Sequence, residues 1–165
     1  GIGIVGHGGF AEPCCDELRQ VVLEAGKEVD ATVHEGGAYI CMEGPQFSTR
    51  AESHFYRSTR NPTVIGMTAL PEAKLAREAE MCYAMLAMGT DYDCWHIEEE
   101  PVTLEAVLKI MHQNVKRAKQ VINELVPLMD NVEPCCCADA AKQAVVTEPD
   151  KVPEKLKKDL SILFD

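Results

Sequence analysis

The alternation of apolar and polar positions divides the chain into helical and extended stretches before any chemistry is considered. Past Pro13, the apolar residues Leu18, Val21, Val22 and Ala25 recur at helical spacing, and proline suits a helix start, where its missing N–H costs nothing. The segment ATVHEGGAYICM reads as two β-runs around Gly36 and Gly37, residues free to take the positive φ angles of a hairpin turn. Residues 48–58, STRAESHFYRS, predict a helix with Ser48 or Thr49 as N-cap and Glu52 placed for a capping box. TVIGMT is a short β-branched strand, and LPEAKLAREAE opens on proline and spaces its charges for i,i+4 pairing. CYAMLAM is apolar throughout, the pattern of a strand buried on both faces. Thr103 then precedes a long amphipathic helix with the stripe Leu104, Val107, Leu108, Met111, Val115, Ala118, Ile122 and Leu125, and Pro127 predicts its end.

Strand and helix alternate, so the expected class is α/β: a mixed sheet flanked by helices, with functional groups just beyond the C-terminal ends of strands. The pattern changes after Asp130. Residues 131–165 hold three of the nine prolines and only a short amphipathic stretch from Lys155 to Phe164. The expected division is a domain over 1–130 and a cysteine-rich tail over 131–165 with room for one short helix, packed on the body or on a neighbouring subunit.

Composition narrows the partners. A chain of 165 residues that is 46% hydrophobic can bury a substantial core as one domain. Its net charge of −11 argues against nucleic acid or an anionic membrane, because phosphate contacts require clustered lysine and arginine. No apolar run approaches the roughly 20 residues that cross a bilayer, and GIGIVGHGGF lacks the positive flank of a signal peptide, so a cytoplasmic location is expected. GHGGF also lacks the following Lys-Ser/Thr of a phosphate-cradling loop.

Eight cysteines are many for such a chain. Cys14 and Cys15 are adjacent, Cys135, Cys136 and Cys137 are consecutive, and Cys41, Cys82 and Cys94 stand alone, with no C-x-x-C pair. Neighbouring cysteines do not offer the tetrahedral arrangement that zinc prefers, so no metal is expected and buried free thiols are the ordinary reading. Cys15 with Cys82 is the pair to test for a disulfide, should the chain come from a hyperthermophile.

Three strand ends carry the candidate chemistry: Ile40–Met42 running into Phe47-Ser48, Val64–Gly66 into Met67-Thr68, and Tyr83–Met88 into Asp91-Tyr92-Asp93. Each ends in groups that suit a polar aromatic ligand, namely a ring to stack on and hydroxyls or carboxylates to bond. On spacing alone, Asp91 and Asp93 read more readily as turn formers or caps of a solvated loop, and Phe47 and Met67 as core by default.

The blocks CMEGPQFSTRAES, VIGMT, PEAKLAREAE, CYAMLAM and TDYDCW, in this order, closely resemble the S-methyl-5'-thioadenosine phosphorylases of the purine nucleoside phosphorylase superfamily, over about residues 4–130. The resemblance implies phosphorolysis of S-methyl-5'-thioadenosine to adenine and 5-methylthioribose 1-phosphate, with inorganic phosphate as co-substrate, no cofactor, and a homotrimer or hexamer as the working form. It implies that Phe47 covers the purine face, Ser48 helps hold the base, and Met67 lies under the ribose. Thr68 would bond phosphate, Asp91 would face purine N7, and Asp93 would accept from the N6 amine. His7, reaching a neighbouring subunit's site, would line the methylthio pocket with Val102, Leu104 and Leu108. The chemistry is coherent, since negative charge grows on the leaving purine and a carboxylic acid in a dry site can neutralise it, which typically contributes on the order of 10²–10⁴ in rate. Relatives acting on 6-oxopurines carry glutamate at Ser48 and asparagine at Asp91, so the residues here favour a 6-aminopurine.

One departure is large. Members of the family are considerably longer, and their N-terminal half supplies most of the phosphate site; here only Thr68 remains for it. The expectation is therefore the C-terminal portion of a longer enzyme, against two alternatives: a non-catalytic purine-binding or scaffolding remnant, and a 6-oxopurine nucleoside phosphorylase.

Overall fold

The structure is a computed structural model that describes residues 3–29, 31–60, 62–96 and 103–161. Two compact units emerge, one built from residues 20–69 and 85–132 and the other from residues 1–19, 70–84 and 133–165. The chain is helix-rich α/β with a small parallel sheet, as the alternating pattern predicts.

In the first of these units, strand β1 (Tyr39–Cys41) and strand β2 (Val64–Gly66) lie parallel, with Tyr39 opposite Val64, Ile40 opposite Ile65 and Cys41 opposite Gly66. Parallel strands cannot be joined by a tight turn, and the crossover here carries helix α2 (Arg50–Arg60). This corrects the expected hairpin at Gly36-Gly37. Both glycines do take positive φ, 73° and 114°, but residues 31–35 form no strand and the turn only delivers the chain into β1. Gly37 is also obligatory by space, since a Cβ there would fall 2.2 Å from Thr63 Oγ1.

Helix α2 starts where the capping box predicts. Thr49 N–H donates to Glu52 Oε2 at 2.7 Å, and Glu52 N–H donates back to Thr49 Oγ1 at 3.3 Å. Helix α4 (Leu104–Leu128) is capped by Thr103, whose hydroxyl accepts from Ala106 N–H at 3.2 Å. It runs one residue past Pro127, because a missing donor in the final turn forfeits a single backbone bond. The predicted stripe on α4 mixes two faces. Val107, Ala118 and Leu125 are half-buried, whereas Leu104, Leu108, Met111, Val115 and Ile122 are exposed, and the buried Val121 lies outside that stripe. Helix α1 (Asp16–Glu28) buries Val21, Ala25 and Gly26, and Gly26 admits Val33, whose Cγ2 would lie 2.8 Å from a Cβ there.

In the second unit, helix α3 (Ala69–Glu78) begins two residues before Pro71 and buries Ala73 and Ala76. The chain leaves it through Glu80, which adopts the left-handed conformation at φ 55°. The Glu80 carboxylate accepts from the backbone N–H groups of Ala141 and Lys142 at 2.9 and 3.2 Å, capping the short helix α5 (Ala140–Ala144). Residues 5–7 bond to residues 144–147 through His7 N–H to Ala144 O (2.8 Å), Val146 N–H to Val5 O (2.9 Å) and Val5 N–H to Thr147 Oγ1 (2.8 Å). The segment read as a tail is thus tied to the start of the chain. Where the pattern leaves room for one short helix, the segment carries α5 and also α6 (Glu154–Asp159), which ends short of the amphipathic stretch from Lys155 to Phe164, whose residues 162–164 lie outside the described ones.

CYAMLAM forms no strand and is not buried on both faces: Tyr83, Ala84, Met85 and Leu86 are half-buried, and Cys82, Ala87 and Met88 are exposed. A strand is defined by a ladder, and the bond from Cys15 N–H to Tyr83 O at 2.7 Å does not make one. No described helix is long and apolar enough to cross a membrane.

Thr49→Ala should destabilise the unit that carries α2 by about 1 kcal/mol in urea unfolding, the usual cost of a lost N-cap. The Glu52 carboxyl is held below its ordinary 4.5, first by the Thr49 backbone N–H and then by the Thr49 hydroxyl. A depressed carboxylate contributes stability above its unfolded pKa and loses it as pH falls through the folded value. Glu52→Gln should therefore flatten the acid limb of stability against pH below about 4.5 relative to the parent.

Candidate functional site

The parallel pairing sets two of the three candidate segments side by side. β1 and β2 run in the same direction, so Met42–Ser48 and Met67-Thr68 leave from the same end of the sheet. The ladder continues one step beyond β1, where Met42 N–H donates to Gly66 O at 2.9 Å. Gly66 allows the close fit, because a Cβ there would fall 2.0 Å from the Tyr39 hydroxyl oxygen. Met67 lies against the loop from β1, its Sδ 3.3 Å from where a Gly44 Cβ would stand. Ser48 is half-buried, with its hydroxyl 3.6 Å from Met42 Sδ. Phe47 is 80% exposed, a ring presented rather than packed, and Thr68 is exposed directly before α3.

The third segment, 91–96, is bound to α2. Ser53, 1% exposed, donates to Asp93 Oδ2 at 2.5 Å, and Asp93 Oδ1 accepts from Cys94 N–H at 2.8 Å. The Cys94 thiol donates to Ser48 O at 3.4 Å, and Arg50 Nε donates to Cys94 O at 3.4 Å. The Arg57 guanidinium lies over the Trp95 ring, 3.4 Å from its centre, and Tyr92 stacks on His96 at 4.7 Å between centroids. The only tryptophan therefore anchors the aspartate loop to the helix that follows Phe47-Ser48. Asp93 is half-buried with both oxygens engaged, and each oxygen keeps a further lone pair for a donor. Asp91 is exposed and accepts from the Thr90 hydroxyl at 2.7 Å. The dry surroundings that an acid needs are not supplied to Asp91 by the described residues of this chain.

Of the expected apolar pocket, Leu104 and Leu108 lie exposed on the first turns of α4. That helix is tied toward the aspartate loop by Asn114 Nδ2, which donates to Gly89 O at 2.8 Å. Val102 lies outside the described residues, and His7 belongs to the other unit, exposed. Residue spacing missed Ser53, Arg50 and Arg57, which hold the loop. A serine on a polar helix gives no sign in one sequence that it is buried.

The model of the phosphorylase superfamily matches residues 2–127. The chain belongs to that superfamily. S-methyl-5'-thioadenosine phosphorylase of Geobacter sulfurreducens is 48% identical over 164 residues, covering 99% of this chain and 57% of the relative. The enzyme of the same name from Thermosynechococcus vestitus is 50% identical over 168 residues, covering 99% of this chain and 58% of that one. A methylthioadenosine phosphorylase from an antarctic soil metagenomic library superposes with a TM-score of 0.90 at 39% identity, covering 100% of this chain and 58% of that chain. Methylthioadenosine phosphorylase from Schistosoma mansoni, solved with adenine, superposes at 0.72 and 32% identity, covering 84% of this chain and 54% of that one. This chain thus spans a little over half the length of the relatives it matches.

Ser53→Ala should cost about 1.5 kcal/mol, the lower end for a hydrogen bond to a charged group, since half-buried Asp93 can recruit water. Urea unfolding followed by Trp95 fluorescence would report it, and an unchanged midpoint would show that the contact does not hold the loop.

Proposed function

We propose that the complete protein cleaves S-methyl-5'-thioadenosine with phosphate, giving adenine and 5-methylthioribose 1-phosphate in purine salvage, as a homotrimer or hexamer in the cytoplasm. The observation that carries this reading is the gathering of Phe47-Ser48, Met67 and the Asp91–Asp93 loop within one unit, at one end of a parallel strand pair and against α2.

In this reading the Phe47 ring covers the purine, Met67 supports the ribose, and Asp93, an acceptor, takes the hydrogen of an exocyclic amine. Asp91 gives its proton to N7 as the bond from N9 to C1' lengthens, so that the base leaves neutral and phosphate captures C1' of the oxocarbenium-like sugar. Thr68, ahead of α3, donates to phosphate. Leu104 and Leu108, with Val102 and with His7 of a neighbouring copy, receive the methylthio group. A 6-oxopurine brings an acceptor where Asp93 is also an acceptor, and an unpaired polar group costs on the order of 1–3 kcal/mol. Adenine release is therefore favoured over hypoxanthine release. The reaction needs no cofactor beyond phosphate as co-substrate.

Adenine should appear from methylthioadenosine only when phosphate is present. Asp91→Asn should lower kcat by on the order of 10²–10⁴, the range of general acid catalysis, with little change in KM. Phosphate-independent release, or an unchanged kcat in Asp91→Asn, would contradict the assignment. Adenine binding without turnover in the complete parent protein would favour a binding remnant instead.

A further inference from the structure

The unit formed by residues 1–19, 70–84 and 133–165 gathers four thiols from three separate segments. Cys15 stands just before α1, Cys82 follows α3, Cys135 immediately precedes the 3-10 turn Cys136–Asp139, and Cys137 lies within it. Their four sulfur atoms all lie within 4.8 Å of one another, and the Cys82 and Cys135 sulfurs are 3.3 Å apart. A tetrahedral zinc with Zn–S of about 2.3 Å sets its sulfurs about 3.8 Å apart, so the cluster brackets the required size. The expectation of no metal rested on cysteines adjacent along the sequence. The cluster uses alternate residues, with Cys136 between them exposed, and takes the other two ligands from far along the chain.

The scaffold holds these ligands by bonds that need no metal. Cys15 N–H to Tyr83 O (2.7 Å) joins the first two segments, and Glu80 joins the third through Ala141 and Lys142 N–H. Cys15 and Cys137 are each 4% exposed. The backbone N–H of Leu18, in the first turn of α1, lies near the Cys15 sulfur, and that of Cys137 lies near the Cys135 sulfur. Amide donors aimed at sulfur are the outer-shell contacts that orient thiolate ligands and offset their charge. Glu17, whose carboxylate accepts from the Cys15 thiol at 3.3 Å, would have to turn to solvent when that proton leaves.

We propose that Cys15, Cys82, Cys135 and Cys137 form a structural zinc site. Zn²⁺ replaces four thiol protons, which pass to solvent, leaving a tetrathiolate of net charge −2 with no open position. A closed site of four sulfurs suits structural zinc rather than catalysis. Its effect is to cross-link residues 133–165 to the start of the chain and to the segment after α3.

The test uses the protein purified under reducing conditions, with zinc measured by elemental analysis and native mass spectrometry. One zinc per chain is expected. Removal by chelator should lower Tm, and added ZnCl₂ should restore it. Co²⁺ in place of zinc should give the sulfur-to-cobalt charge-transfer band and the visible d–d bands of a tetrahedral tetrathiolate. Cys137→Ser and Cys82→Ser should lose stoichiometric zinc and the cobalt spectrum, while Cys136→Ser and Cys14→Ser keep both. Should Cys137→Ser fail to fold, the surface variant Cys82→Ser and the cobalt spectrum of the parent still decide the matter. A parent whose mass is lower by two or four hydrogens without metal would overturn the proposal in favour of disulfides. Free thiols that take up no zinc or cobalt would overturn it outright.

Discussion

The direction in which β1 and β2 pair is the constraint on which the candidate site depends. A hairpin at Gly36-Gly37 would only have added a strand on the other edge of β1; it is the parallel pairing with β2 that puts Phe47-Ser48 and Met67-Thr68 at one end of the sheet. Parallel pairing sends both loops out together, and the α2 crossover it requires supplies the surface on which the aspartate loop is held. The close approach depends on absent side chains. Gly66 makes room for the Tyr39 hydroxyl and Gly37 for Thr63, so neither position accepts a Cβ without displacement.

What the sequence made legible was whatever local pattern determines. The caps of α2 and α4 are written in Thr49 with Glu52 and in Thr103, because capping chemistry is satisfied within a few residues. The VIG strand and the long helix were equally plain. The pairing partner of β1 was not, since a glycine pair serves a hairpin and a simple change of direction alike. The CYAMLAM run shows the same limit from the other side: apolar content predicts a strand buried on both faces, but the run forms no ladder and leaves Cys82, Ala87 and Met88 exposed. On α4 the periodicity merged two faces, because apolar residues occupy more of the circumference than the one face buried here.

The candidate site divides similarly. Asp91, Asp93, Phe47, Ser48, Met67 and Thr68 stand out by residue type and by position after strands. The groups that hold them do not. Ser53 under Asp93, Arg50 on the Cys94 carbonyl and Arg57 over Trp95 come from one face of α2, at contacts up to 44 residues apart in the chain. The cysteines make the point again. Read along the chain they were adjacent pairs and isolated residues; in space, four of them from three segments form one cluster.

The most direct test is a crystal structure of the complete protein with adenine bound. The account predicts the purine lying flat against Phe47, with N7 within hydrogen-bonding distance of Asp91 and the N6 amine within reach of Asp93, while Asp93 keeps its bond to Ser53. Adenine bound elsewhere, with both carboxylates turned to solvent and Phe47 uncovered, would contradict it.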